Sequence, residues 1–352
     1  MGNQKRKKRK GRSTVYNRIT SKEKLKKVSI ENKDLEEGFI DYLESVGRSE
    51  GTVKQYRSNL HIFWIWNLDN NLNKSFIDLR KRDIIRFQNY CMKEWGWSAK
   101  RLRTVKATLS SLSNYIEDIL DDEYEDYRAI IRKIESPANE PVREKTVFTA
   151  KQLNKLLKIL VEREDYMQAC ALSLAMNSAR RKAEIPRFKV SYFDKENLIC
   201  EGALYMTPEK ILTKGGKMLD VYTLAKPFQP YLDLWLKQRE ELGVKSEWLF
   251  PRRDRYGNWI QNDYISTQTL DNWALTFSNI LKSNFYWHSI RHYATTMLSE
   301  ANLPESVIQD LIGWSSSDMV RLYIDTPKSA TFEKYFGADG IKDVGQAKLT
   351  EL

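Results

Sequence analysis

Four successive stretches between residues 30 and 120 repeat apolar side chains at intervals of three and four. Such spacing paints one stripe along a helix, and striped helices bury their stripes against one another. Leu35, Phe39, Tyr42 and Leu43 mark the first stretch, and Val53, Tyr56, Leu60, Phe63 and Trp64 the second. "RDIIRFQNYCMKEW" is the third, and Leu102, Val105, Leu109, Leu112 and Ile116 mark the fourth. A helical bundle over residues 29–135 is therefore expected. "SPANEPVREK" then loses all periodicity, and residues 136–146 read as a linker. Beyond it, Thr149 and Gln152 form a capping-box pattern ahead of Leu153, Leu156, Leu157 and Leu160. "YMQACALSLAMNSA" reads as a buried helix. After Arg187 the period becomes two, in "NLICEGALYM" and "KILTKGGKMLDVYTL", with Gly215-Gly216 as a two-residue hairpin turn. Helical patterns resume over 229–241, 266–282, 289–300, 304–312 and 317–325. The expected fold is mainly α with a small antiparallel β-sheet, in two domains, the second spanning 147–326 and followed by a tail over 327–352.

The chain of 352 residues carries a net charge of +11, and that excess is local. Residues 1–28 hold twelve Lys or Arg and one acid, Glu23, while the remainder holds 46 of each sign. A block of like charge repels itself, so residues 1–28 are expected to be a disordered basic arm, with Lys5, Arg6, Lys7, Lys8, Arg9 and Lys10 set to meet phosphates. Within the bundle, the segment from Arg80 to Lys106 has nine bases and two acids. It spans two helices that can present one surface, and Arg57, Lys100, Arg101, Arg103 and Lys106 are further candidate DNA contacts. The apolar run "HIFWIW" ends at Asn67, far short of a membrane span. The basic N-terminus lacks the apolar core of a secretory signal. Cys91, Cys170 and Cys200 are too few and too scattered for a disulfide framework or a zinc site. A cytoplasmic protein without membrane contact is expected.

Only three histidines occur, and two of them, His288 and His292, flank Arg291 in "WHSIRHYATTML". On a helix these positions are neighbours. A guanidinium holds two phosphate oxygens in a planar fork, and an adjacent imidazole donates to a third or moves a proton. No third ligand stands at zinc spacing, so no metal is expected.

This pattern resembles the tyrosine recombinases, or phage integrases of the λ-integrase type. Their motif is His-x-x-Arg-His, then Gly-His or Gly-Trp some two dozen residues on, then a nucleophilic Tyr. Here "HSIRH" is followed by "LIGW" ending at Trp314, and Tyr323 stands nine residues later. The family's Thr-Gly-x-Arg-x-x-Glu pattern is similar to "NSARRKAEI", which points to Arg181 and Glu184, with Arg180 a rival in register. The family's hairpin lysine matches Lys214 in "LTKGGK", with Lys217 as the alternative. The helical bundle resembles the family's core-binding domain, and the resemblance implies two domains closing on DNA as a clamp. The short N-terminal arm fits a simple Xer- or Cre-like architecture.

The resemblance implies a site-specific recombinase that cuts and rejoins DNA through a 3′-phosphotyrosine on Tyr323, with neither ATP nor metal nor other cofactor. Arg181 and Arg291 would hold the scissile phosphate, with His288 and Trp314 as further donors. Lys214 would protonate the 5′ oxygen, Glu184 would orient an arginine or His288, and His292 would support the site from behind. The partner would be double-stranded DNA carrying recombination sites, bound as a homo-tetramer on paired sites, with a monomer or dimer when free and room for an accessory DNA-bending protein. In the family the tail, here with Phe332, Tyr335 and Phe336, packs on a neighbouring protomer. Two other readings share these residues: an inactive DNA-binding relative, and a relaxase of the type IB topoisomerase kind. The full set of candidate catalytic residues argues against the inactive relative, and a relaxase would act as a monomer on supercoiled DNA of any sequence rather than as a tetramer on paired sites.

Overall fold

Apolar stripes of the expected kind do meet in the first part of the chain. The computed structural model describes residues 15–138, 147–213, 218–323, 336–337 and 340–341. The chain divides into two units, residues 1–144 and 145–352. Four helices dominate the first: α3 (Ile30–Ser45), α4 (Glu50–Asn70), α5 (Lys81–Lys93) and α6 (Ala99–Asp118). Ser49 and Ser98 cap α4 and α6 by accepting from the third backbone N–H inside each helix. Leu60, Phe63, Phe87, Leu109 and Ile116 are wholly buried, and the Phe63 and Phe87 rings meet edge to face at 5.0 Å.

The bundle begins earlier than residue 29. Two short helices, α1 (Val15–Ile19) and α2 (Lys22–Lys26), lie against α4. Val15, Tyr16, Ile19 and Leu25 pack on the core and Val28 is buried within it. The Tyr16 hydroxyl meets His61 Nδ1 at 2.8 Å, and His61 Nε2 lies 2.9 Å from the buried Glu36 carboxylate. An apolar stripe was therefore present in 15–28, hidden by the density of lysine around it. Lys5 to Lys10 lie outside the described residues.

Several expected DNA contacts are committed elsewhere. Lys106 is buried, and its ammonium donates to the Ile134 and Glu135 carbonyls at 2.8 and 3.1 Å. Arg103 donates twice to the Pro137 carbonyl, and Arg57 pairs with Glu37. Arg101 lies over the Trp97 ring at 5.2 Å, while Lys100 is exposed. A basic run seen in sequence mixes solvent-facing charges with cations that tie down the segment after the bundle's last helix, and periodicity alone does not separate the two.

Asp83 shows how the bundle uses a buried charge. Its carboxylate accepts from the Arg80 N–H at 3.0 Å and from the Lys74 ammonium at 3.2 Å. Burial raises its pKa, but the Arg80 bond and Lys74 outweigh burial and hold it below the ordinary aspartate value. A carboxyl with a depressed folded pKa adds stability above its unfolded pKa and loses it as pH falls through the folded one. Asp83→Asn is expected to lower stability by about 1–2 kcal/mol at pH 7 and by much less near pH 3, read from urea melts at both.

The second unit is built around α8 (Tyr166–Ser178), whose residues Ala169–Ala175 are buried on every side. A helix apolar all round belongs in the middle of a domain. Packed around it are α7 (Ala150–Glu162), α9 (Ala225–Glu241) and α11 (Trp287–Glu300), with α10 (Thr267–Leu281) against α7. Thr149 and Gln152 make both bonds of the capping box that starts α7. Among the described residues the last two helices are α12 (Glu305–Ile312) and α13 (Asp318–Tyr323).

Strands β1 (Leu198–Ile199), β2 (Leu204–Met206) and β5 (Tyr222–Leu224) form an antiparallel sheet in the order β1-β2-β5. Between them, β3 (Ile211–Leu212) pairs with β4 (Met218–Leu219). Their register sets Leu212 opposite Met218, and the expected turn at Gly215-Gly216 lies outside the described residues. A further hairpin, β6 (Pro251–Arg253) with β7 (Trp259–Tyr264), was not expected from the sequence, because β6 is three residues long and Gln261, Asn262 and Asp263 break any alternation in β7. In the tail, β8 (Phe336–Gly337) pairs with β9 (Gly340–Ile341). No helix among the described residues is long and apolar enough to cross a membrane.

Candidate active site

The end of α8 sets the position of everything that follows. Its last turn closes on Ala179, which adopts a left-handed conformation at φ 51° and ψ 29°. That is the place where the family motif has glycine, and the reversal it makes is the usual way to end a helix. The chain then turns back through Arg180 and Arg181 to Glu184. Glu184 is 1% exposed, and its carboxylate accepts from the Arg181 backbone N–H at 3.1 Å and from the Arg181 guanidinium at 3.2 Å. The Arg181 side chain stays about one third exposed, at 33%, so its remaining N–H groups are open to an incoming ligand. Arg180, the rival in register, is 2% exposed and turned inward.

Helix α11 brings the second arginine. Trp287 anchors its first turn by donating to the Leu270 carbonyl at 2.7 Å. Arg291 is 1% exposed, and one terminal nitrogen donates to the Ala179 carbonyl at 2.8 Å. Its Nε and other terminal nitrogen find no hydrogen-bond partner among the described residues. Burial pulls its pKa below the guanidinium range, and the nearby charges of Arg181 and Arg180 push the same way. A buried cation with unmet donors is costly on its own and is relieved by an anion.

Four rings complete the site, those of Trp314, Tyr323, His288 and His292. Gly313 closes α12 at φ 71° and delivers Trp314, whose ring lies 4.9 Å from the Arg291 guanidinium carbon. The buried Trp314 indole N–H also has no partner among the described residues. Ser316 opens α13 by accepting from the Asp318 N–H at 3.1 Å. Tyr323 ends α13, and its hydroxyl lies 3.1 Å from His288 Nε2. The Tyr323 ring stacks on His292 at 4.3 Å and leans on Trp314 at 4.8 Å. His292 is thus a direct neighbour of the tyrosine.

Tyr323, His288, His292, Arg291 and Trp314 therefore gather in one place, and Arg181 with Glu184 adjoins them through Arg291. Lys214 and Lys217 lie outside the described residues. The hairpin strand that follows them reaches the site, since a Cβ on Gly313 would come 2.6 Å from Leu219 Cδ1. Sequence reasoning did not assign the inward role of Arg180. The signal was "RRK" at the end of a buried helix, where three consecutive cations cannot all face water.

A tyrosine whose hydroxyl meets His288 and whose ring lies against Trp314 and the Arg291 guanidinium, both with donors unmet among the described residues, defines an anion site beside a phenol. A family model described as the phage integrase family matches residues 146–329, and one described as the phage integrase N-terminal SAM-like domain matches residues 35–126. The chain belongs to the phage integrase family, the tyrosine recombinases. Among curated relatives, the SPbeta prophage-derived recombinase-like protein YomM of Bacillus subtilis is 31% identical over 60% of this chain. That match spans 63% of YomM, so the chain covers less than two thirds of that relative's length. Tyrosine recombinase XerA of Pyrococcus horikoshii is 24% identical over 84% of this chain and 90% of its own. Among solved structures, XerH recombinase bound to a palindromic difH substrate superposes with a TM-score of 0.61 at 17% identity, over 91% of this chain and 90% of that one. A λ integrase fragment bound to a COC′ core site gives 0.58 at 15% identity, over 83% and 95%. The fold is the one these integrases share.

Proposed function

We propose that this chain is a site-specific DNA recombinase that cuts and rejoins DNA through a phosphotyrosine at Tyr323. The observation that carries this reading is the set of three buried nitrogen donors, two on Arg291 and one on Trp314, that have no partner among the described residues and lie against the Tyr323 ring. They are donors without an acceptor, next to the nucleophile, and a phosphodiester supplies the missing oxygens.

Tyr323 Oη attacks the scissile phosphorus, and the bond from phosphorus to the 5′ oxygen breaks. The DNA 3′ phosphate is left on the tyrosine. His288 takes part in moving the phenol proton, and Lys214 gives a proton to the departing 5′ oxygen. Arg181 and Arg291 neutralise the charge that builds on the non-bridging oxygens. The phosphotyrosine keeps the bond energy, so a 5′ hydroxyl from another strand attacks it and rejoins without ATP. Guanidinium charge fills the part that a metal ion plays in other phosphoryl transfers. The first unit and the basic arm grip duplex DNA, and the active assembly is a tetramer on paired sites.

The test is a trap. Native protein is incubated with a pool of nicked duplexes carrying randomised sequence, so that the short 5′ fragment diffuses away after cleavage. A detergent-resistant protein–DNA adduct should form, and peptide mapping should place the nucleotide on Tyr323. An adduct on another residue, or none from a pool that the protein binds, sinks the reading.

A further inference from the structure

We infer that Arg180 is a positioning residue, whose buried guanidinium joins the end of α8 to the end of α12 and so fixes Trp314 against the reacting centre. For its effect on catalysis this rests on the recombinase reading; its geometric part does not.

The side chain is held at both ends. Its Nε donates to the Ser178 carbonyl at 2.8 Å, which anchors the stem on the last residue of α8. One terminal nitrogen then reaches across the chain to the Leu311 carbonyl, also at 2.8 Å. Both acceptors belong to final helical turns, whose carbonyls have no partner within the helix and carry partial negative charge. Two helix ends, with Glu184 acting from further away, thus offset a cation whose pKa burial pulls down.

The reach ends close to the site. Leu311 is followed by Ile312, the left-handed Gly313 and Trp314. A Cβ on Gly313 would sit 4.0 Å from the other terminal nitrogen of Arg180, so the guanidinium lies under that turn. The next carbonyl along, Ala179, accepts from Arg291. Adjacent carbonyls of one helix end therefore hold both guanidinium groups. Arg291 is referenced to that end directly, and Trp314 is referenced to it through Arg180. Donors that must meet the same phosphate need a common anchor, because about half an ångström of slack already weakens the contact.

Arg180→Met leaves both carbonyls buried and unpaired, and Arg180→Lys keeps the charge but cannot fork to both. Hydrogen exchange of the free protein is the first measurement. Amides of residues 311–316 should exchange at least about tenfold faster in Arg180→Met, with the rest of the second unit unchanged, and by a smaller factor in Arg180→Lys. Covalent trapping at saturating DNA should slow about 30-fold in Arg180→Met, with DNA affinity within about threefold of native. In a Trp314→Phe background the same change should slow trapping by no more than about threefold, because Arg180 acts through the ring already removed. Should Arg180→Met fail to fold, Arg180→Lys carries the same comparisons at reduced size. Unchanged local exchange overturns the inference, and so do trapping losses that multiply across the two backgrounds. If native protein traps no DNA, the recombinase reading fails, while the exchange result still decides whether Arg180 holds the turn.

Discussion

Arg291→Met is expected to slow covalent trapping of DNA by about three orders of magnitude while leaving the free protein as stable as before, or more so. The two halves of that expectation come from one fact. Arg291 is 1% exposed, yet only one of its nitrogens has a partner among the described residues, the Ala179 carbonyl. In the free protein the other donors are desolvated without return, which weakens the fold. Replacing a poorly compensated buried charge by an apolar side chain of similar length is often neutral or stabilising. With a phosphate in place the balance reverses, because the same donors then meet charge that grows in the transition state.

Removing one such donor typically slows a reaction a hundred- to a thousandfold, and Arg291 offers two. Arg291→Lys is expected to recover little, since one ammonium cannot reproduce the fork. DNA affinity should fall only slightly, because binding sums over many backbone contacts. Melting temperature, affinity and trapping rate, measured on one preparation, decide the matter. A variant that is slow because it is unstable, or one that keeps more than about a tenth of native activity, would contradict this account of Arg291.

Much of this site was legible because its parts lie on strongly periodic helices. His288, Arg291 and His292 follow from helical spacing alone, and the left-handed Gly313 that delivers Trp314 follows from glycine after an apolar stripe. Ala179 was harder to read, since alanine rarely takes the conformation it has here, and its role came only from the family motif. The outward Arg181 and inward Arg180 are adjacent cations, and only the path of the chain after α8 tells them apart. Helices α1 and α2 were missed because a lysine-rich stretch was read by its charge, although Tyr16 and Val28 lie against the core. Lys106 failed as a DNA contact for the converse reason. Its position on α6 faces the later segment at Ile134 and Glu135, a tertiary contact with no local signature. Burial patterns are written in the sequence by spacing, whereas the partner of a buried charge is set by segments far along the chain.

Glu184→Gln should show the opposite behaviour to Arg291→Met, lowering the stability of the second unit by about 2–4 kcal/mol. Glu184 is the one buried carboxylate of that unit among the described residues, and its charge acts on both Arg180 and Arg291 as well as on its direct partner Arg181. Glutamine keeps an oxygen for the Arg181 N–H but removes the buried negative charge that faces three guanidinium groups. Arg181 is partly in water, so solvent screens its share and the loss should fall toward the lower figure. An anion bound at the site would offset what the variant lacks. Sulfate should therefore raise the urea midpoint of Glu184→Gln more than that of the native chain, since a ligand that binds the folded state stabilises it in proportion to its affinity there. Adding Arg291→Met should recover part of the loss, because one of the repelling charges goes with it, so the double variant should be more stable than the sum of the singles allows. A loss under about 0.5 kcal/mol, or two changes that simply add, would mean that the guanidinium groups do not depend on Glu184 for their balance of charge.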